Sequence, residues 1–447
     1  MRSHGRKLWV HGIVGALLWG AWGASTCLYA QAQSVGPFPL PPELEPTVQF
    51  WVQVFTQYSG RQALIVDADA PHRVLRIVVV EGVDPMDEAT QRAVRSALEE
   101  QVRQVQAALD DLDGRGAEAA EQSPQHRWLW QVYGPERAHR PSVFQETRNR
   151  LRIQWGHKEK FQQALQRMYR FLPHVRAILV AEGLPPEVAY LPLIESGYNP
   201  YAASFAGARG LWQLMPTAAR KMGLTLDTWV DQRLDPLYAT VAAARYLKQA
   251  YQEFGNWPLA ITSYNHGLEG VRRAVRELGT TDYVRVWREY RGPLFGFASR
   301  NFYPEFLAAI IVAGSPERYF PGFQADGVWE FATYVVPQEM GLRDIPERLG
   351  VSLTAFIQHN PQFLLPAYFR NVRVSAGTSV RIPLASSTDT AVHVVRPGET
   401  LASIARLYGV RADALRQWNP ALWASDRLRP GTVLRIPAAG SDVGSTP

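Results

Sequence analysis

The stretch Leu191-Pro192-Leu193-Ile194-Glu195-Ser196-Gly197-Tyr198-Asn199-Pro200 is the densest signal in the chain. It closes a run that begins at Glu187, directly after Pro185-Pro186, a natural helix start. Pro192 predicts a kink inside the run, and Asn199-Pro200 predicts its end. A carboxyl at the end of an apolar helix is partly desolvated, which keeps it protonated near neutral pH. Such an acid suits protonation of a leaving oxygen, as in cleavage of a glycosidic bond. An exposed glutamate at a helix end fits this stretch equally well.

On the N-terminal side, Phe161, Leu165, Met168, Phe171, Leu172 and Val175 recur at helical spacing. On the C-terminal side, Ala239 to Phe254, Leu259 to Tyr264 and Phe302 to Ala313 are further helix candidates. The expectation is an all-helical domain over 149–320. Ala203 to Gly210 is a loop of small residues that lets a ligand approach backbone, and Leu211-Trp212-Gln213-Leu214-Met215-Pro216 adds an amide and apolar groups. Ser263-Tyr264-Asn265-His266-Gly267 sets an aromatic, an amide and a glycine at a helix end. Amides and hydroxyls bind N-acetyl sugars, and aromatic faces pack on sugar rings. A packed Trp, a core Tyr and a capping Asn are the plainer reading of the same residues.

Taken together, the pattern E-S-x-Y-x-P-x-A-x-S-x-x-G-A-x-G-x-W-Q-x-M-P-x-x-A, followed some fifty residues on by Y-N-x-G, resembles the soluble lytic transglycosylase (SLT) catalytic domain. Glu195, Ser196, Pro200, Ala202, Ser204, Gly207, Ala208, Gly210, Gln213, Met215, Pro216 and Ala219 stand where that motif has them. The resemblance implies a lysozyme-like helical catalytic domain that cleaves between N-acetylmuramic acid and N-acetylglucosamine. It implies Glu195 as catalytic acid and base, a 1,6-anhydro product, and neither metal nor cofactor. It places Ser204, Gln213, Met215, Tyr264 and Asn265 along the sugar subsites. One departure stands out. The family often has E-T-x-x-Y late in the domain, whereas this chain has Ala298-Ser299-Arg300-Asn301-Phe302-Tyr303.

The C-terminal part repeats itself. Tyr334-Val335-Val336 aligns with His393-Val394-Val395 at a shift of 59, which also matches Ile345 with Ile404 and Asn360-Pro361 with Asn419-Pro420. The closing segments, Gly377 to Pro383 and Gly431 to Pro437, match at a shift of 54, so the first copy holds about five extra residues. Each copy reads strand, helix, helix, strand. The copy over 391–438 resembles a LysM module, a family that binds N-acetylglucosamine-containing glycans. The copy over 330–385 is a divergent one, without the Pro-Gly-Glu-Thr turn at Pro397 to Thr400.

The N-terminal end reads as an export signal over 1–32. Arg2, Arg6 and Lys7 precede an apolar run that ends in Ala30-Gln31-Ala32, a small-x-small cleavage pattern. An uncleaved anchor is the rival, and Cys27, the single cysteine, is a weaker candidate for lipid attachment. Cleavage after Ala32 leaves a chain with no thiol. Residues 35–46, rich in Pro, read as an extended linker, and 33–148 as a small α+β/helical region without visible chemistry: a helix from Thr47, strands at Ala63 to Val66 and Val74 to Val80, and a long helix from Met86. A tail follows at 439–447.

The overall expectation is a mainly α protein with two small βααβ modules. A formal charge of +6 in a chain that is 46% hydrophobic favours polyanionic partners without choosing among them. No zinc-finger cysteine pair or basic run points to nucleic acid. The expected partner is the peptidoglycan glycan strand, and the expected place is the periplasm or cell envelope, with membrane association left open and a monomeric state. A hydrolytic muramidase using a second acid, Glu187 or Asp231, is one rival. A non-catalytic cell-wall-binding scaffold is the other. His266 and His393 read as structural or surface histidines.

Overall fold

The structure is a computed structural model, and it describes residues 9–13, 34–81, 88–383, 391–396, 398–417, 419, 428 and 433–436. Most of the expected export segment, including Cys27 and Ala32, lies outside these, as do the 384–390 linker, Pro397 and the tail. Among the described residues no helix is long and apolar enough to cross a membrane. The protein is mainly α. Its contacts group into two units, 1–163 with 250–323, and 164–249 with 324–447.

In the first unit the helix Glu45–Thr56 buries Val48, Trp51, Val52 and Phe55, the stripe expected from the spacing. It packs on the helix Phe297–Ala313, which is buried along nearly its whole length. The Trp51 indole donates to Asn301 Oδ1 at 2.8 Å. The proline-rich segment is not an extended linker. Ser34–Val35 pairs with Phe38–Pro39. Phe38 is fully buried between Trp257 and Phe306, with ring centroids at 5.5 and 4.9 Å. The Tyr303 hydroxyl donates to the Pro39 carbonyl at 2.7 Å. An aromatic anchor overrode the composition, since prolines forfeit only donors that this segment does not need.

The same unit holds an antiparallel sheet in the order Trp9–Ile13, Ala70–Glu81, Gln62–Asp67, Leu151–Trp155. The last strand falls where the sequence suggested helix. Its alternation of Leu151, Ile153 and Trp155 serves a half-buried strand, and it pairs residue for residue with Ala63–Asp67. The helix Glu88–Arg115 covers the sheet with Val94, Leu98, Val105, Leu109 and Leu112. Pro124–Arg137 and Val143–Arg148 complete that core. Asp67 is fully buried, held by both prongs of Arg150 at 2.6 and 3.0 Å and by the Tyr133 hydroxyl at 3.0 Å.

The second unit begins within the helix Lys158–Ala181, whose Leu165, Met168, Phe171, Leu172 and Val175 are buried as the spacing predicts. Residues after Gln324 run along it: Asp326 N donates to the Gln166 carbonyl at 3.2 Å and Trp329 N to the Arg170 carbonyl at 2.9 Å. Phe331–Val335 then pairs antiparallel with Ser379–Pro383, enclosing the helices Asp344–Arg348 and Leu353–His359. The second copy pairs Ala391–Val394 with Val433–Ile436 around Leu401–Tyr408 and Ala412–Gln417. Both copies therefore have the expected strand, helix, helix, strand order. The first adds a helix, Leu365–Phe369, and a short ladder of Met340–Gly341 with Arg373–Val374. One continuous core runs through the two copies, from Leu342 and Phe356 to Ile404 and Leu434.

Candidate active site

Pro186–Tyr190 is a 3-10 turn, and the chain widens into an α-turn at Leu191–Glu195 with Pro192 in its first turn. The expected kink is this change of helix type, tolerated because an early proline leaves no intrahelical donor missing. Leu191 and Leu193 are buried, and half-buried Glu195 ends the element. Desolvation pushes its carboxyl up to about 8, and no neighbouring charge offsets it.

The backbone after Glu195 is unusual. Gly197 and Tyr198 both take positive φ, 59° and 58°. A tyrosine there costs about 1–2 kcal/mol. The surroundings hold it: Tyr198 is fully buried, its hydroxyl donates to the Ala189 carbonyl at 2.5 Å, and Arg167 grips the Gly197 carbonyl at 3.0 and 2.7 Å. Ser196 donates to the Leu211 carbonyl at 2.7 Å and accepts from Asn199 N at 3.2 Å. The turn carrying Glu195 is thus tied to the small-residue loop.

That loop is a narrow ladder, with Arg209 bridging to Ala203 and to Leu214. Gly210 must be glycine, because a Cβ there would lie 1.7 Å from the Arg233 carbonyl oxygen. Gln213, at φ 47°, gives its amide nitrogen to the Gly210 carbonyl at 2.8 Å and the Ala202 carbonyl at 3.2 Å. The Ser204 hydroxyl accepts from Ala208 N at 3.0 Å, Phe205 is fully exposed beside it, and Met215 is exposed at the next helix start. Trp212 is fully buried and donates to Thr240 Oγ1 at 2.8 Å, so it is a core residue.

The sequence reading did not foresee Arg233. It donates to the Gly207 and Leu214 carbonyls at 2.9 and 3.1 Å, and it grips buried Asp231 at 2.9 and 2.8 Å. Arg209 also reaches Asp231, at 3.3 Å. Asp231, weighed as a second acid, is an anchor for two guanidinium groups. Glu187 sits in the 3-10 turn with a buried Oε2 that has no hydrogen-bond partner among the described residues. No three-residue His, Cys, Asp or Glu cluster suited to a metal occurs among the described residues.

The other expected subsite residues belong to the first unit. Half-buried Tyr264 and exposed Asn265 end the helix Trp257–His266, which Gly267 closes at φ 80°. Asn265 Oδ1 accepts from the Ser299 hydroxyl at 3.1 Å, and His266 Nδ1 lies 3.1 Å from Ser299 Oγ. Ser299 thus occupies the departure from the expected motif and fixes Asn265.

A cavity of about 330 Å³ lies where the loop meets the repeat copies, lined by Tyr201, Arg209, Leu365, Phe369, Arg396 and Glu399 among others. The Arg396 guanidinium lies over the Tyr201 ring at 5.4 Å. Glu399 Oε2 sits 2.7 Å from both His393 Nε2 and Arg396 N. Glu399 Oε1 and Arg396 Nε are buried without partners among the described residues. His393 is buried and also meets the Tyr408 hydroxyl at 2.7 Å, so it is structural.

The family model for the transglycosylase SLT domain matches residues 177–285, which spans the Glu195 turn, the loop and the Tyr264-Asn265 pair. The chain carries an SLT domain. Residues 393–437 match the LysM domain, the second repeat copy. The chain is 26% identical over 288 residues to membrane-bound lytic murein transglycosylase D of Escherichia coli, covering 58% of this chain and 61% of that one. It is 30% identical over 149 residues to membrane-bound lytic murein transglycosylase F 2 of Alkalilimnicola ehrlichii, 31% of each chain. It is also similar to the solved 70 kDa soluble lytic transglycosylase of Escherichia coli, 20% identical with a TM-score of 0.29, over 49% of this chain and 35% of that one. The chain therefore spans less than two thirds of the curated relatives it matches.

Proposed function

We propose that the protein is a peptidoglycan lytic transglycosylase with Glu195 as its acid and base. The observation that carries this is the Glu195 carboxyl, desolvated and unopposed by charge, inside the SLT domain. A carboxyl held up to about 8 is protonated at neutral pH and can give its proton to the glycosidic oxygen between N-acetylmuramic acid and N-acetylglucosamine. The bond to C1 breaks and the N-acetylglucosamine end leaves as an alcohol. The Glu195 carboxylate then takes the proton of the muramic 6-hydroxyl, whose oxygen closes on C1 as a 1,6-anhydro ring. One carboxylate serves both steps when the substrate's acetamido group assists at C1. Ser204, Gln213, Met215, Tyr264 and Asn265 line the sugar subsites. Since the Gln213 nitrogen is committed to the loop, its contact with sugar falls to Oε1. The cavity beside Tyr201 and Phe369 offers aromatic faces with unmet polar atoms, which suits an N-acetyl sugar held by the LysM modules.

The protein works as a monomer in the cell envelope, exported by its first 32 residues. Trp9–Ile13 lies along the outer edge of Ala70–Glu81, so cleavage after Ala32 vacates that edge. N-terminal sequencing of the protein recovered from cells decides between a start at Gln33, a lipidated Cys27 and an intact anchor.

The deciding experiment incubates the protein, beside Glu195→Gln, with purified peptidoglycan and identifies soluble products by mass spectrometry. Anhydro-muropeptides from wild type alone are expected. Reducing-end products make the protein a hydrolase. No release with binding retained makes it a scaffold.

A further inference from the structure

The first unit contains a cavity of about 270 Å³ whose wall carries Arg73, Arg140, Arg150, Arg288, Arg291 and Arg300 against two carboxylates, Asp69 and Glu136. It is built from the strand ends around Ala68–Ala70, the helices near Glu136 and Arg140, and Trp287 to Asn301. Both acids are shared, and carboxylates outside the wall take up further arginines: Arg150 grips Asp67, Arg140 pairs with Glu146, and Arg288 lies 3.8 Å from Glu43. Asp69 lies between Arg300 at 2.6 Å and Arg150 at 3.5 Å, and Glu136 between Arg73 at 2.5 Å and Arg140 at 2.7 Å. Among the described residues Arg291 donates only to backbone carbonyls, those of Arg288 and Tyr290. Arg300 is only 11% exposed, yet its Nε has no hydrogen-bond partner among the described residues. Buried guanidinium groups ordinarily fill their donors, so Arg300 leaves the wall short of acceptors, and the exposed Arg291 guanidinium, which meets no carboxylate among the described residues, points to an anion in the cavity.

The position of Arg300 narrows the ligand. It follows Ser299, whose hydroxyl holds Asn265, and it stands in the segment that departs from the SLT motif. One residue of the cavity wall therefore directly follows, in the chain, the serine that fixes an expected subsite residue. The cavity's volume exceeds what one small oxyanion fills, and Arg291 in its wall with Arg140 and Arg288 at its exposed rim offers guanidinium groups to more than one carboxylate.

We infer that this cavity binds an acidic peptide, and specifically the carboxylates of the peptide stem on the glycan substrate. The assignment to the stem rests on the transglycosylase reading above. The arginines select peptide-bearing strands, and Trp287 covers the aliphatic part of the chain.

The test titrates tri-glutamate, tri-glutamine and inorganic phosphate into the full protein by calorimetry. Arg300→Gln removes an ion pair and can unfold the unit, so the decisive variants are Arg140→Glu and Arg288→Glu at the exposed rim. Tri-glutamate is expected to bind wild type and Glu195→Gln alike, and to bind either rim variant roughly tenfold more weakly, the loss of one charge-assisted hydrogen bond. Release from peptide-bearing glycan should fall in the rim variants, while release from peptide-stripped glycan is unchanged. No binding of tri-glutamate, equal binding of tri-glutamine, equal displacement by phosphate, or unchanged affinity in both variants overturns the site. A rim variant that slows both glycans equally overturns the stem assignment. Binding without any glycan cleavage by wild type sinks the transglycosylase reading and leaves an acidic-peptide site.

Discussion

Glu195 is held at the end of an apolar turn, with strained backbone after it and the buried Leu193 and Tyr198 close by in the chain. Its carboxyl titrates at about 8, against an ordinary value of 4.5, because burial disfavours the charged form. The folded protein therefore keeps a proton that the unfolded chain loses. This contribution to stability is fully present below about 4.5 and is lost as pH rises through about 8. Glu195→Gln, which cannot ionise, should melt close to wild type at pH 5 and above it at pH 9. Thermal melts across that range check this, and a difference independent of pH would refute the burial. The position and type of this residue were legible from the apolar run before it. The strain at Gly197 and Tyr198 was not, because a left-handed tyrosine is stable only where Arg167 and the Ala189 carbonyl hold it.

At the scale of elements, the repeat rests on one asparagine per copy. Asn360 donates to the Phe356 and Arg381 carbonyls at 2.9 and 2.7 Å and accepts from Arg381 N at 2.8 Å. It closes its helix and staples it to the last strand. Asn419 donates to the Leu415 carbonyl at 2.7 Å, the same helix-closing bond in the second copy. Asn360→Ala leaves two Arg381 backbone groups unmet in a buried place. It should cost about 2–4 kcal/mol, read from urea unfolding of the whole chain. The matching Asn-Pro pairs exposed the repeat in the sequence. The added helix Leu365–Phe369 did not show, since five surplus residues say nothing about their conformation.

Within the second unit, the divergent repeat copy is docked on the SLT domain. Val230 bridges to Phe363, Asp231 N donates to the Gln362 carbonyl at 2.8 Å, and Leu364 N to the Trp229 carbonyl at 2.8 Å. Arg381 forms a buried ion pair with Asp235 and lies 5.2 Å from the Trp329 ring centre. Desolvation lowers its guanidinium to about 10. Asp235 also caps the following helix through Leu237 N and Tyr238 N. Arg381→Met should cost about 3–5 kcal/mol by stranding that carboxylate, and adding Asp235→Asn, which keeps the cap, should restore much of the loss. A double-mutant cycle by denaturant unfolding measures the coupling, and additive losses would mean that the pair does not join the two parts. This copy, which lacks the Pro-Gly-Glu-Thr turn, thus commits part of its surface to the SLT domain.

The helical character, the Glu195 motif, the repeat and its strand order are legible without a structure. These depend on local spacing, on turn residues and on residue types that one chemistry requires. The folded chain alone reveals that Asp231 anchors two arginines, that the proline-rich segment is pinned by Phe38, that Leu151–Trp155 is a strand, and that six arginines share one wall. Each of those turns on partners far away in the chain. A charge or an aromatic ring carries no mark of its partner until folding brings the two together.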